Sequence, residues 1–283
     1  MRHAHHACPP IAAPNAPMQT SYDSYKSLQV IRRGGVVTVT LNRPDFLNAI
    51  DEAMHEELAR IFVDIGSDEE ARVVVLTGAG EKAFCSGGDI VWMNKLLDPR
   101  EFTRTTIEGR RIIYSMLDCQ KPIIARLNGH AIGLGATIAL FSDIVVAVDT
   151  AKIADPHVRV GLTAGDGGAV IWPQLVGFAR AKEYLLTGNA LGAGEAERIG
   201  LINYAVPASE LDARVAGFVK QIDEGATVAI AGTKVSVNVA LKQLAHAILE
   251  TSFTCEALSN LTSDHREAVA AFGEKRPAKF TGR

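Results

Sequence analysis

The sequence predicts an α/β fold. Two glycine-rich stretches and one shift of composition carry that reading. In residues 121–148 an apolar run, Pro122 to Leu127, suits a buried strand. Asn128-Gly129, Gly133 and Gly135 follow, then an Ala-, Ile- and Leu-rich helix from Ala136 to Phe141 and a second buried strand, Ile144 to Val148. The other stretch runs from a strand, Val73 to Leu76, through Thr77-Gly78-Ala79-Gly80 into Lys82 to Ile90, KAFCSGGDI. Strands and helices in alternation are the mark of an α/β core. From Leu211 to the end the chain is rich in Ala, Leu, Val, Lys and Glu without strand-like alternation, so a helical region begins near residue 208.

The elements follow in order. Residues 1–20 hold five Ala and four Pro with no apolar period, and read as a disordered arm. Its His3, His5, His6 and Cys8 are metal-ligand types, but nothing near them fixes a geometry, and no metal is expected. Val30 to Asn42 reads as a hairpin turning at Gly34-Gly35, and Arg43-Pro44 ends it. Asp51 is a plausible cap for a helix in which Met54, Leu58, Ile61, Phe62 and Ile65 recur at helical spacing. Asp89 to Cys119 is mixed helical. Beyond Val148 come a glycine-rich turn, Gly165 to Gly168, with a helix starting near Gly168, and helical segments at Ala181 to Leu186 and Ala193 to Gly200. A strand, Leu201 to Val206, closes the core. The predicted organisation is therefore an arm (1–20), an α/β core (21–208) and a helical region (209–283).

Composition bounds function. A chain of 283 residues, 47% hydrophobic and 22% charged, suits one large globular domain with an appendage. A net charge of −3 carries no basic footprint, so no nucleic-acid partner is expected. No apolar run reaches the ~20 residues that cross a bilayer, so no membrane partner is expected either. Four cysteines without CxxC pairing fit buried, reduced thiols and a cytoplasmic location.

The two glycine-rich turns carry the chemistry. Each follows a strand, and the second opens a helix whose free N–H groups make an anion site. Two such turns aimed at one point would form an oxyanion hole. Gly78-Ala-Gly80-Glu-Lys-Ala83 also matches a dinucleotide fingerprint. Phe84-Cys-Ser-Gly-Gly breaks the helix that fingerprint needs, so this reading is set aside.

Six segments in order resemble the crotonase (enoyl-CoA hydratase/isomerase) superfamily: LNRPDFLNAI (41–50), VVVLTGAGEKAFCSGGDI (73–90), LNGHAIGLGATIALFSDI (127–144), GLTAGDGGA (161–169), GEAERIGLIN (194–203) and AFGEKRPAKF (271–280). The resemblance implies a ββα spiral superhelix core with a C-terminal helical trimerisation region, hence a homotrimer or dimer of trimers. It implies an acyl-CoA thioester substrate, with CoA as part of the substrate and no separate cofactor, and a thioester enolate held in an oxyanion hole. By motif position the oxyanion N–H groups fall on Ser86 and Leu134. Gly87, Gly88, Asp89 and Gly133 fall in the substrate-binding loops, and Phe272 and Lys275 look like residues presented to CoA.

The sequence also departs from the pattern. The two glutamates with which hydratases of the family activate water are replaced by Thr137 and His157. Asp166 remains, at a position resembling the acid of some family isomerases. An Asp in a dry pocket can serve as a general base, and His157 can exchange a proton near neutral pH. Asp166 could equally cap the next helix. Asp155, before Pro156, reads as a turn residue. One confident carboxylate tilts the expected chemistry toward isomerisation over hydration. A non-catalytic acyl-CoA-binding relative and a CoA-thioester hydrolase are the alternatives. Trp92, Met93, Trp172 and Phe253 are candidate walls of an acyl pocket.

Overall fold

The computed structural model describes residues 22–283, so the metal-ligand types of the arm lie outside the described residues. A hairpin of β1 (Leu28–Arg33) and β2 (Val36–Leu41) opens the core. Helix α1 (Glu52–Ser67) follows, with Asp51 accepting the Met54 N–H at 2.9 Å as its cap. Met54, Leu58, Ile61, Phe62 and Ile65 form its buried face, as their spacing predicts.

Three ββα turns come next. The first is β3 (Val73–Gly78), β4 (Ala83–Cys85), α2 (Ile90–Lys95) and α3 (Pro99–Asp118). The second is β5 (Ile123–Leu127), β6 (His130–Ile132) and α4 (Leu134–Leu140). The third is β7 (Ile144–Val148), β8 (Lys152–Ala154) and α5 (Gly168–Thr187). Each turn gives its first strand to one sheet and its second to another. The larger sheet has the order β1-β2-β3-β5-β7-β10, parallel from β2 onward, and the smaller is β4-β6-β8-β9. Strand β9 (Leu191–Gly192), α6 (Ala193–Arg198) and β10 (Tyr204–Val206) complete the core. Parallel strands covered on both faces need continuous apolar runs, and every residue of β3 is buried.

Two element boundaries differ from expectation. The segments near Gly168 and Ala181 are one helix, α5, broken at Gly177 (φ 76°). The last strand is short because the Leu201 and Ile202 N–H groups bond back to the Ala196 carbonyl at the end of α6. Of the cysteines, Cys85 and Cys119 are buried, while Cys255 is exposed on a helix face, against the expectation of burial.

Helices α7 (Ala208–Asp223), α8 (Thr227–Asn260) and α9 (Ser263–Gly273) form the C-terminal region. Helix α8, 34 residues and about 50 Å long, packs along α3 and α5. No helix among the described residues is long and apolar enough to cross a membrane.

The step from β3 to β4 carries the chain from one sheet to the other. Two buried asparagines hold it. Asn128 accepts from the Gly78 N–H at 3.0 Å and donates to the Gly80 and Ala83 carbonyls at 2.8 and 3.0 Å. Asn48 donates to the Ala79 and Ala83 carbonyls, both at 2.9 Å, and accepts from the Arg43 N–H at 3.0 Å. An unpaired buried backbone group costs about 1–3 kcal/mol, so Asn128→Ala, which strips three bonds to backbone groups, is expected to lower unfolding free energy by about 2–4 kcal/mol in urea titration. A loss below about 0.5 kcal/mol, the scale of a neutral surface change, would show that the step does not depend on this side chain.

Candidate active site

The predicted loops meet around a cavity of about 260 Å³. Ser86, Gly87 and Gly88 line one part of it, Gly133 and Leu134 another, and His157, Asp166, Glu256 and Phe272 further parts. A larger groove of about 1060 Å³, over α1 and α3, contains none of these groups. The smaller cavity is therefore the candidate site.

The glycines bring two loops together. Gly133 has φ 57° and ψ −129°, a conformation that favours glycine, and a side chain there would approach Gly87 Cα at 3.7 Å. It leads into α4, where the Leu134 N–H is the first of the helix and has no acceptor among the described residues. The expectation for Leu134 fits this geometry.

The expectation for Ser86 does not. The Ser86 N–H donates to the Leu47 carbonyl at 3.1 Å, and the Ser86 hydroxyl faces the Phe46 carbonyl. The amide left without an acceptor in this loop is that of Gly88, between the Ile50 N–H···Gly87 and Asp89 N–H···Ile50 bonds, both 2.8 Å. Gly88 thus replaces Ser86 as the free donor beside Leu134. Asp89 is also corrected. Its carboxylate caps α2 through Val91 and Trp92 and pairs with Arg43 at 3.0 Å, so it serves the loop's own backbone instead of a ligand. Lys275 is exposed just past α9 with φ 54° and does not line the cavity; Phe272 does.

Buried Asp155 and Asp166 form one chain through the half-buried His157. His157 Nδ1 meets Asp155 Oδ1, and His157 Nε2 lies 3.3 Å from Asp166 Oδ2. Thr137, fully buried, donates its hydroxyl to Asp166 Oδ1 at 3.1 Å. Asp166 is not the N-cap of α5, a place taken by Gly167, although the Gly168 N–H supports its charge. The positive end of α5 favours both carboxylates. Burial opposes a charge on His157, but the two carboxylates outweigh it and raise its pKa well above the ordinary value. Burial likewise raises Asp166, yet the imidazolium, Thr137 and Gly168 bring its pKa below the usual carboxylate range. The donor atoms lie within 4.8 Å of one another, a spacing a metal site could share. Both ring nitrogens already serve carboxylates, which suits a proton-carrying imidazolium.

Glu256, on α8, is a site residue that motif reading missed. It is 6% exposed, lines the cavity, and its Oε2 is buried without a hydrogen-bond partner. Burial pushes its pKa up to about 8; the positive His157 pulls against that, and Asp166 and Asp155 add to it. A signal was available: Glu256 falls at helical spacing from Leu249 and Phe253, on the face of α8 that is buried. Asp155, read as a turn residue, is the orienting partner of His157. Trp92, Met93 and Phe253 line the cavity as expected. Trp172 does not: it is fully buried in the core with its ring 5.8 Å from Tyr184.

An α/β spiral that brings two unpaired amides and a carboxylate–imidazole–carboxylate chain to one cavity has the groups to hold a carbonyl oxygen and to move a proton. The chain belongs to the enoyl-CoA hydratase/isomerase family, whose model matches residues 32–283. It is 36% identical to a short-chain-enoyl-CoA hydratase of Clostridium acetobutylicum over 87% of this chain and 94% of that one. It is also 36% identical to an (E)-benzylidenesuccinyl-CoA hydratase of Thauera aromatica, over 87% and 96%. The solved structure of an enoyl-CoA hydratase/isomerase from Mycobacterium paratuberculosis superposes with a TM-score of 0.82 at 37% identity, covering 88% of this chain and 99% of that one. The expected fold class holds.

Removing His157 leaves two buried carboxylates without their cation. Breaking a buried pair costs about 3–5 kcal/mol, so His157→Gln is expected to lose that much stability at pH 6. The pH sense follows from the raised folded-state pKa. The stabilisation by His157 is whole below its unfolded value, about 6.5, and is lost as pH rises through the folded value. Urea titrations from pH 6 to 9 check both points, and a wild-type stability that climbs with pH over that range would contradict them.

Proposed function

We propose that the protein forms and quenches a thioester enolate on an enoyl-CoA, with Asp166, backed by His157, as the proton carrier. The observation that supports this most is the meeting, at one cavity, of the unpaired Gly88 and Leu134 amides with the Asp155–His157–Asp166 chain. The thioester oxygen sits between the two amides. As charge moves onto it in the transition state, fixed N–H donors stabilise it without reorganising, a contribution of about 3–4 kcal/mol per donor in enzymes of this kind.

Asp166 then accepts a proton on the substrate side. The imidazolium of His157 holds the carboxylate in place and shares the proton load, while Asp155 fixes the ring from its other nitrogen. Thr137, where family hydratases carry a glutamate, supports Asp166 through its hydroxyl. Trp92, Met93 and Phe253 wall the acyl group. The relatives' names, a short-chain-enoyl-CoA hydratase and a benzylidenesuccinyl-CoA hydratase, agree with an enoyl-CoA substrate.

The test is direct. Purified protein is assayed on crotonyl-CoA and on a 3-enoyl-CoA by the absorbance of the conjugated thioester. Loss of the band from crotonyl-CoA reports hydration, and gain from the 3-enoyl substrate reports isomerisation. Asp166→Asn is expected to lower kcat by about 10²- to 10⁴-fold, the range for a lost acid–base group, with CoA-ester binding little changed. Near-normal turnover by this variant would remove Asp166 from the role, and silence of the wild type on every enoyl-CoA would favour the non-catalytic acyl-CoA binder.

A further inference from the structure

We propose that Glu256 is a second acid–base group of this site, the one that gives a proton to the carbon next to the thioester when water adds across the double bond. This rests on the enolate reading above and deepens it, because it names the reaction as hydration.

The geometry carries the argument. Glu256 lines the same cavity as Asp166 and His157 but arrives from the opposite side of the sequence, on α8. Its Oε2 is buried with no hydrogen-bond partner, a state that costs less free energy when the group is neutral than when it is charged, and that a ligand would relieve. The neighbouring turn leaves room for it. A Cβ on Gly165 would lie 2.5 Å from Glu256 Oε2 and 2.6 Å from Glu256 Cβ. Ser252, one helical turn earlier, pins that turn by donating to the Gly165 carbonyl at 2.8 Å.

The charged groups that face Glu256 are His157, Asp166 and Asp155. With burial, they leave one carboxyl in the cavity protonated near neutral pH and one, Asp166, ionised. Two carboxyls driven apart in this way make an acid and a base. With a single carboxylate, isomerisation is the easier chemistry. A second, protonated one removes that tilt.

The step balances as follows. Asp166 takes one proton from a water molecule, and the oxygen of that water bonds to C3. The C2=C3 electron pair moves to form the enolate, whose oxygen sits on the Gly88 and Leu134 amides. Glu256 gives its proton to C2 and the thioester carbonyl re-forms. The chain has then gained one proton on Asp166 and lost one from Glu256, and exchange through solvent resets both. One water is added overall.

The experiment compares wild type, Glu256→Gln and Glu256→Asp. Hydration of crotonyl-CoA by Glu256→Gln is expected to fall about 10²-fold or more in kcat with KM changed only a few-fold, and Glu256→Asp is expected to recover part of it. The wild-type kcat/KM profile is expected to fall on the alkaline side with a midpoint near 8, a limb that Glu256→Gln lacks. A second readout needs no turnover. The infrared carbonyl stretch of a protonated carboxylic acid is expected at pH 6, lost on titration through about 8, and missing in Glu256→Gln. An active wild type with an equally active Glu256→Gln and an unchanged alkaline limb overturns the proposal and leaves the enolate reading standing. Absence of a carboxylic-acid band that depends on Glu256 overturns it even if no enoyl-CoA is turned over, an outcome that would separately sink the enolate reading.

Discussion

The site depends on how the chain crosses between its two sheets. Each crossing leaves the hydrogen-bond ladder of one sheet before joining the other, and the backbone groups in between still need partners. Asn128 and Asn48 supply them at the first crossing, converging on the Ala83 carbonyl from two directions. With residues 78–83 fixed, β4 pairs beside β6 and the loop that follows it comes up against Gly133. The Ser86 and Asp89 amides are consumed by Leu47 and Ile50, and Gly88, between them, keeps its N–H. The unpaired donor is thus a residue of bonding elsewhere in the loop.

The acid–base cluster is organised by burial. Four ionisable side chains, Asp155, His157, Asp166 and Glu256, share a space where unpaired charge is costly. One imidazolium can neutralise only part of three carboxyls. Asp155 and Asp166 hold its two nitrogens, and Asp166 has Thr137 and the head of α5 besides. Glu256 has none of these and yields by keeping its proton. The division of charge therefore follows from which carboxyls reach the imidazole, since the intrinsic difference between Asp and Glu is only about 0.4 pH units.

Much of the core was legible in sequence because its signals are local. The hairpin at Gly34-Gly35, the Asp51 cap, the apolar face of α1 and the glycine-to-helix junction at Leu134 each follow from residues near one another. That His157 and Asp166 belong to one site was legible through motif position, and they lie 3.3 Å apart. What was missed depends on distant partners. Whether Ser86 or Gly88 keeps a free amide is decided by Leu47 and Ile50, some forty residues earlier in the chain. Asp89 looked like a ligand residue until Arg43 and the start of α2 claimed its oxygens. Glu256 carries no motif, since its meaning comes from the helix that folds it over the cavity. Trp172 misled because a large aromatic in an apolar helix suits a pocket wall and a core equally well.

Gly165 ties two distant positions into one choice. Its missing side chain is the space that Glu256 occupies, with a Ser252 carbonyl 2.6 Å from where a Cβ would stand. A chain that placed even alanine at this turn would have to move α8 away, because the Glu256 Cβ also stands 2.6 Å off and stays there however short the side chain becomes. How closely α8 can lie over the cavity is therefore set at a turn about ninety residues before it, whatever side chain α8 carries there.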